Sequence, residues 1–138
     1  MVRRMGWVAA ILAGVLLVAC AQATEVAPTR ARNADGYVDL SVDELAAMLV
    51  SEDVLLINTH IPYDGELPDT DLFIPYDEIA AHQDKLSDKD ETIVLYCRSG
   101  SMSTAAAREL VSLGYTNVFE LDGGMVAWES AGQELIRR

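Results

Sequence analysis

Ile93-Val94-Leu95-Tyr96 runs straight into Cys97-Arg98-Ser99-Gly100-Ser101-Met102-Ser103, and the fold reads outward from this junction. The four apolar residues show no alternation, the pattern of a strand buried on both faces of a parallel sheet. After them Met102, Ala106, Leu110 and Leu113 share one helical face. A cysteine therefore stands where a strand passes through a tight loop into a helix. Amides without intrahelical partners and the positive end of the helix dipole favour a thiolate there. Gly100 and the small serines let the backbone aim its N–H groups at the sulfur as an anion nest. The expectation is an acidic, exposed, nucleophilic Cys97.

The flanking chain supplies the rest of a sheet. Tyr37-Val38-Asp39-Leu40 reads as a short strand. Ser41 with Glu44 three residues later forms a capping box, opening a helix with Leu45, Met48 and Leu49 inward. Val54-Leu55-Leu56-Ile57 is a second continuous apolar run, expected at the centre of the sheet. A long loop from Asn58 to Asp71 follows, and loops of that length inside compact domains are usually functional. Leu72-Phe73-Ile74 gives a brief strand. Pro75 and Tyr76 then lead into a short helix with Asp77 and Glu78 in its first turn and Lys85 near its end. Gly114 closes the 102–113 helix, and Val118-Phe119-Glu120-Leu121 is the last strand. Asp122-Gly123-Gly124 turns into a final helix whose Met125 and Trp128 read as core. Strands alternating with helices imply a single α/β domain: a central parallel sheet of about five strands with helices on both faces. Ligands in such sheets lie at the carboxyl ends of the strands, which puts Asn58 and His60 on the same edge as Cys97.

The N-terminus has a different logic. Arg3 and Arg4 precede an apolar run from Trp7 to Ala19, the layout of an export signal. The run is shorter than the roughly 20 residues of a comfortable membrane span. It ends in Leu17-Val18-Ala19-Cys20, which resembles a bacterial lipobox, so Cys20 is the expected lipidation site. The organisation read is a signal peptide over 1–19, a lipidated cysteine and flexible tether over 20–36, and a domain over 37–138. Removing Arg3 and Arg4 lowers ten basic residues to eight, against 22 acids, a formal charge of −14. Such a surface excludes nucleic acid as a partner, and leaves the lipid as the only membrane attachment. The chain has two cysteines; with Cys20 lipidated, Cys97 has no partner in an oxidising compartment. No Cys-x-x-Cys pair is present and the histidines, His60 and His82, stand apart, so neither dithiol exchange nor a metal site is expected. Asp64, Glu66, Asp69 and Asp71, interrupted by Pro68, read as a solvated loop rather than a calcium site.

Tyr96-Cys97-Arg98-Ser99-Gly100, Ser103, Gly114-Tyr115 and Leu121-Asp122-Gly123-Gly124 followed by Ala127-Trp128 together resemble the rhodanese-like domain, over residues from about 37 to 131. The resemblance implies an α/β fold with a central parallel sheet and a sulfurtransferase cysteine. The first half departs from the family pattern. Asp-Val-Arg after the second strand is replaced by Asn58-Thr59-His60, and no Gly-His-Ile segment follows. Ser101 also occupies a position where a second arginine is frequent. These changes thin the positive charge around the sulfur.

The resulting expectation is covalent sulfur transfer through a persulfide on Cys97. Arg98 would guide an anionic donor, and the loop Arg98, Ser99, Gly100, Ser101, Met102 and Ser103 would bind it. His60 reads as a scaffold residue or as a base at the sheet edge. Partners would be a small sulfur compound or a thiol, with no cofactor, and the protein would be an exported, lipid-anchored monomer in the bacterial envelope. Two alternatives stand beside this reading. One is a rhodanese-like binding or sensing module with little turnover. The other is a Cys-x5-Arg phosphatase, disfavoured because position 103 is serine rather than the arginine that clamps a phosphoryl group.

Overall fold

The computed structural model describes residues 30–138. The segments expected to be a signal peptide and most of a tether, with Cys20, lie outside these residues. Among the described residues no helix is long and apolar enough to cross a membrane.

Five strands form one sheet: β1 (Val38–Leu40), β2 (Leu55–Asn58), β3 (Leu72–Phe73), β4 (Ile93–Tyr96) and β5 (Val118–Leu121). Their order is β1-β5-β4-β2-β3, and every pairing is parallel. The central strand is therefore β4, the one that delivers Cys97, and not the run around Leu55–Ile57. That run lies second from the edge because β3 is the only strand beyond it. Both apolar runs are long enough for a central strand; the crossover connections decide between them, and the strands' own residues do not.

Side chains alternate across β4. Ile93 and Leu95 join Ile57, Val118, Ala106, Ala107 and Leu110 on one face; Val94 and Tyr96 join Leu40, Leu45, Met48 and Trp128 on the other. The first face is covered by helix α2 (Ser101–Ser112) and a 3₁₀ segment over Ile79–Lys85; the second by α1 (Val42–Ser51) and α3 (Gly124–Ser130). Ser41 caps α1 by the expected box, accepting from the Glu44 amide while the Glu44 carboxylate takes the Ser41 N–H. Met125 and Trp128 are buried, as their spacing indicates. In α2 the buried face is Ser103, Ala106, Ala107 and Leu110, turned slightly from the stripe read in the sequence, and Met102 and Leu113 are half-buried.

Two further elements differ from the sequence reading. The short helix after Pro75 is 3₁₀ and kinks at His82 (φ −111°, ψ 25°). There the His82 and Gln83 side chains engage the carbonyls of Glu78 and Ala80, as polar side chains do when they compete with a regular ladder. Hydrogen-bonded structure also begins before Tyr37. Asn33 and Tyr37 pair through the backbone, the Asp35 amide donates to the Asn33 side chain, and Asp35 pairs with Arg108 at 2.9 Å. Residues 33–36 thus belong to the domain rather than to the tether.

Candidate active site

Cys97 follows the last residue of the central strand, and Gly100 (φ 107°, a left-handed conformation) turns the chain into α2. Inside this turn the sulfur is ringed by donors. The Gly100 amide reaches Sγ at 3.0 Å and the Ser103 hydroxyl lies 3.3 Å from it. The amides of Ser101, Met102 and Ser103 occupy the first turn of α2, where no intrahelical carbonyl meets them.

The sequence reading expects an exposed sulfur, and here the structure corrects it: Cys97 is 1% exposed. The loop that supplies the donors closes over the sulfur, and α3 holds the loop from beneath. The Met125 and Val126 amides donate to the carbonyls of Cys97 and Arg98 at 2.9 and 3.0 Å. This approach requires Gly124, where a β-carbon would overlap the Cys97 carbonyl oxygen and the Arg98 carbonyl carbon. The Gly-Gly of the sequence motif is thus the clamp on the cysteine loop.

A buried carboxylate stands behind the sulfur. Glu120 of β5 is 2% exposed, and its Oε1 lies 2.6 Å from the Ser103 hydroxyl. Burial pushes its carboxyl up to about 7; the Ser103 hydrogen bond works against this, and the charges of Asp122 and Asp39 add to it. The sequence reading treats Glu120 only as a strand residue. Its signal was present: one acid inside Val118–Leu121, whose register partner is Leu95 of the central strand, must face a covered side of the sheet.

The other expected site residues separate into groups. Arg98, with its side chain 62% exposed, lies 3.7 Å from Asp64, a solvent-screened pair of little strength. Ser99 and Ser101 are exposed and Ser103 is buried. A cavity of about 70 Å³ lined by Asp64, Arg98, Met125, Val126 and Arg137 lies beside the loop without reaching Cys97. Asn58 ends β2 opposite Tyr96, on the sheet edge from which Cys97 leaves. It is buried, its amide donating to the Gly65 carbonyl and its Oδ1 accepting from the His60 amide. It braces the 59–71 loop. Thr59 pairs with the Tyr96 carbonyl through both amide and hydroxyl, which brings His60 beside the end of β4. The His60 Nδ1 is buried without a hydrogen-bond partner.

The long acidic loop is pinned at several points. The Tyr96 hydroxyl accepts the Leu67 amide at 3.0 Å and pairs with the Thr70 hydroxyl at 2.7 Å; burial pushes that phenol up to about 12. Asp71 accepts the Leu56 amide. Glu66 and Ile136 exchange backbone hydrogen bonds of 2.9 and 2.8 Å, an antiparallel bridge that straps the C-terminal segment to the loop.

A cysteine cradled between a parallel sheet and a helix N-terminus defines a class of fold and site that comparison with known proteins makes specific. Residues 41–131 match the model of the rhodanese-like domain, and the chain belongs to that family. It is 36% identical over 89 residues to a sulfurtransferase of Allochromatium vinosum, covering 62% of this chain and 81% of that one. It is 29% identical over 105 residues to a thiosulfate sulfurtransferase of Pseudoalteromonas translucida, covering 74% and 98%. A rhodanese-like domain protein of Staphylococcus aureus superposes with a TM-score of 0.61 at 27% identity, over 72% of this chain and 98% of that one.

Proposed function

We propose that this protein is a sulfurtransferase that carries sulfane sulfur as a persulfide on Cys97. The observation that carries the reading is the donor set on Sγ, the Gly100 amide and Ser103 hydroxyl at the mouth of α2. With thiosulfate as donor, the thiolate attacks the outer sulfur. The S–S bond to the sulfonate breaks, sulfite leaves with the electron pair, and Cys97 holds a persulfide anion. A thiophilic acceptor such as cyanide then attacks the terminal sulfur, thiocyanate departs and the thiolate returns. Both steps conserve charge, so donors fixed around the sulfur serve the whole cycle. Arg98 is the loop's own cation and draws the anionic donor in.

The burial of Cys97 favours a second reading, a sensing module that takes up sulfur with little turnover. One experiment separates the two. Mass spectrometry after thiosulfate treatment should show a gain of about 32 Da on Cys97, lost on adding cyanide. Retention of the added sulfur would favour the module, and no gain would reject Cys97 as carrier. The same proposal places the protein in a bacterial envelope, tethered as a monomer by lipid on Cys20. The support is the lipobox-like Leu17-Val18-Ala19-Cys20. Labelling by a fatty-acid analogue that disappears in Cys20→Ala tests it.

A further inference from the structure

Ser103 has one hydroxyl proton and three acceptors around it: Glu120 Oε1 at 2.6 Å, the Gly100 carbonyl at 3.1 Å and Cys97 Sγ at 3.3 Å. The proton can serve only one of them fully. When Glu120 is ionised it is acceptor-only, and the short contact commits the Ser103 proton to it. When Glu120 is protonated, its own O–H donates to Ser103 Oγ, and the serine proton is released to the Gly100 carbonyl and the sulfur, of which a sulfur anion is the stronger acceptor. We propose that Glu120 is a positioning residue which, through Ser103, decides whether the Cys97 anion receives a hydroxyl donor. The proposal rests on reading Cys97 as the reacting sulfur.

The surroundings set the sign of the effect. The charged groups acting on Glu120 are acids: Asp122 beyond it on the same segment and Asp39, its register partner on β1. The Ser103 hydroxyl on α2 is its hydrogen-bond partner, and Cys97 Sγ lies on the far side of that hydroxyl. Burial and these acids hold the carboxyl protonated up to about neutral pH. Below neutrality the sulfur anion therefore has two donors, the Gly100 amide and the Ser103 hydroxyl. Above it the serine turns to the carboxylate, and the sulfur keeps the Gly100 amide as its donor. No net proton is consumed in the transfer cycle; the carboxyl only sets the environment in which the sulfur is charged.

The test uses the full chain and the alkylation of Cys97 by iodoacetamide, which reads the thiolate without any sulfur donor. In Glu120→Gln the amide donates to Ser103 Oγ at every pH and mimics the protonated acid. The expected ratio of Glu120→Gln to wild-type rate is near one at pH 5.5 and rises to roughly tenfold at pH 8, the worth of about one hydrogen bond to a charged acceptor. In a Ser103→Ala background that rise should collapse. A ratio independent of pH, or a rise that survives at full size without Ser103, overturns the proposal. If a variant fails to fold, infrared titration of the unaltered protein gives the answer. A protonated carboxyl band should fade near pH 7, with a midpoint that moves when Cys97 is capped. No carboxyl titrating above pH 6 would overturn the assignment. Because iodoacetamide carries no sulfane sulfur, a coupled profile without the 32 Da gain would reject the transfer reaction and leave the Glu120 role standing.

Discussion

Replacing Glu120 by Gln should stabilise the protein in a strongly pH-dependent way. In the folded chain the carboxyl titrates at about 7 instead of 4.5. Between those values the native state keeps a proton that the unfolded chain has already lost, so stability falls as pH rises through the window. At about 1.4 kcal/mol per pH unit, the span amounts to about 3 kcal/mol, present in full below pH 4.5 and gone above pH 7. Glutamine has nearly the shape of the protonated acid, donates to Ser103 in the same way, and never acquires the charge. At roughly 4 °C per kcal/mol for a domain of this size, Glu120→Gln should unfold within a few degrees of wild type at pH 5. At pH 8 it should unfold roughly 10 °C higher. Thermal unfolding followed by far-UV circular dichroism at intervals of one pH unit measures the difference, in which other titrating groups cancel. A constant difference across pH, or a variant less stable than wild type at pH 8, would refute the placement of a costly buried charge behind the serine.

Other substitutions probe the remaining parts. Cys97→Ser should abolish thiosulfate:cyanide turnover, with an unchanged circular dichroism spectrum and Tm; residual turnover would show that another group carries the sulfur. Arg98→Ala should raise the KM for thiosulfate severalfold with a smaller change in kcat, whereas Asp64→Ala should change KM little, because the pair it breaks is solvent-screened. Gly124→Ala combines a left-handed backbone with a collision against the Cys97 carbonyl, and should cost roughly 2 kcal/mol or more in denaturant unfolding. Tyr96→Phe leaves the buried Leu67 amide without an acceptor and should cost about 1–3 kcal/mol, read as a lower urea midpoint with an unchanged slope.

The strand-to-helix junction at Cys97, the capping box at Ser41 and the buried Trp128 were all legible in the sequence, because each is a local pattern with one physical solution. The order of strands was not, since Leu55–Ile57 and Ile93–Tyr96 are equally apolar and only their crossovers distinguish them. The sequence marks Asn58 as a strand end, but which way its amide faces depends on where the Gly65 carbonyl returns. The closure over Cys97 and the Glu120–Ser103 contact bring together three separate segments, 97–103, 120 and 124–126. Neither periodicity nor capping chemistry reports a meeting of segments so far apart. Glu120 was visible only as an acid in an apolar strand, a discord that marks a position with a chemical reason to exist.

The bridge between Glu66 and Ile136 ties two distant parts of the chain into one opening unit. Their amides should exchange with deuterium at matched rates, slower than those of their exposed neighbours, because neither can open alone. Arg138 adds a contact of 2.7 Å to Glu66, and Arg137 lines the cavity beside Arg98. A protease cut between Trp128 and Ile136 would therefore be felt in the loop that carries Asp64, long before the sheet lost its integrity.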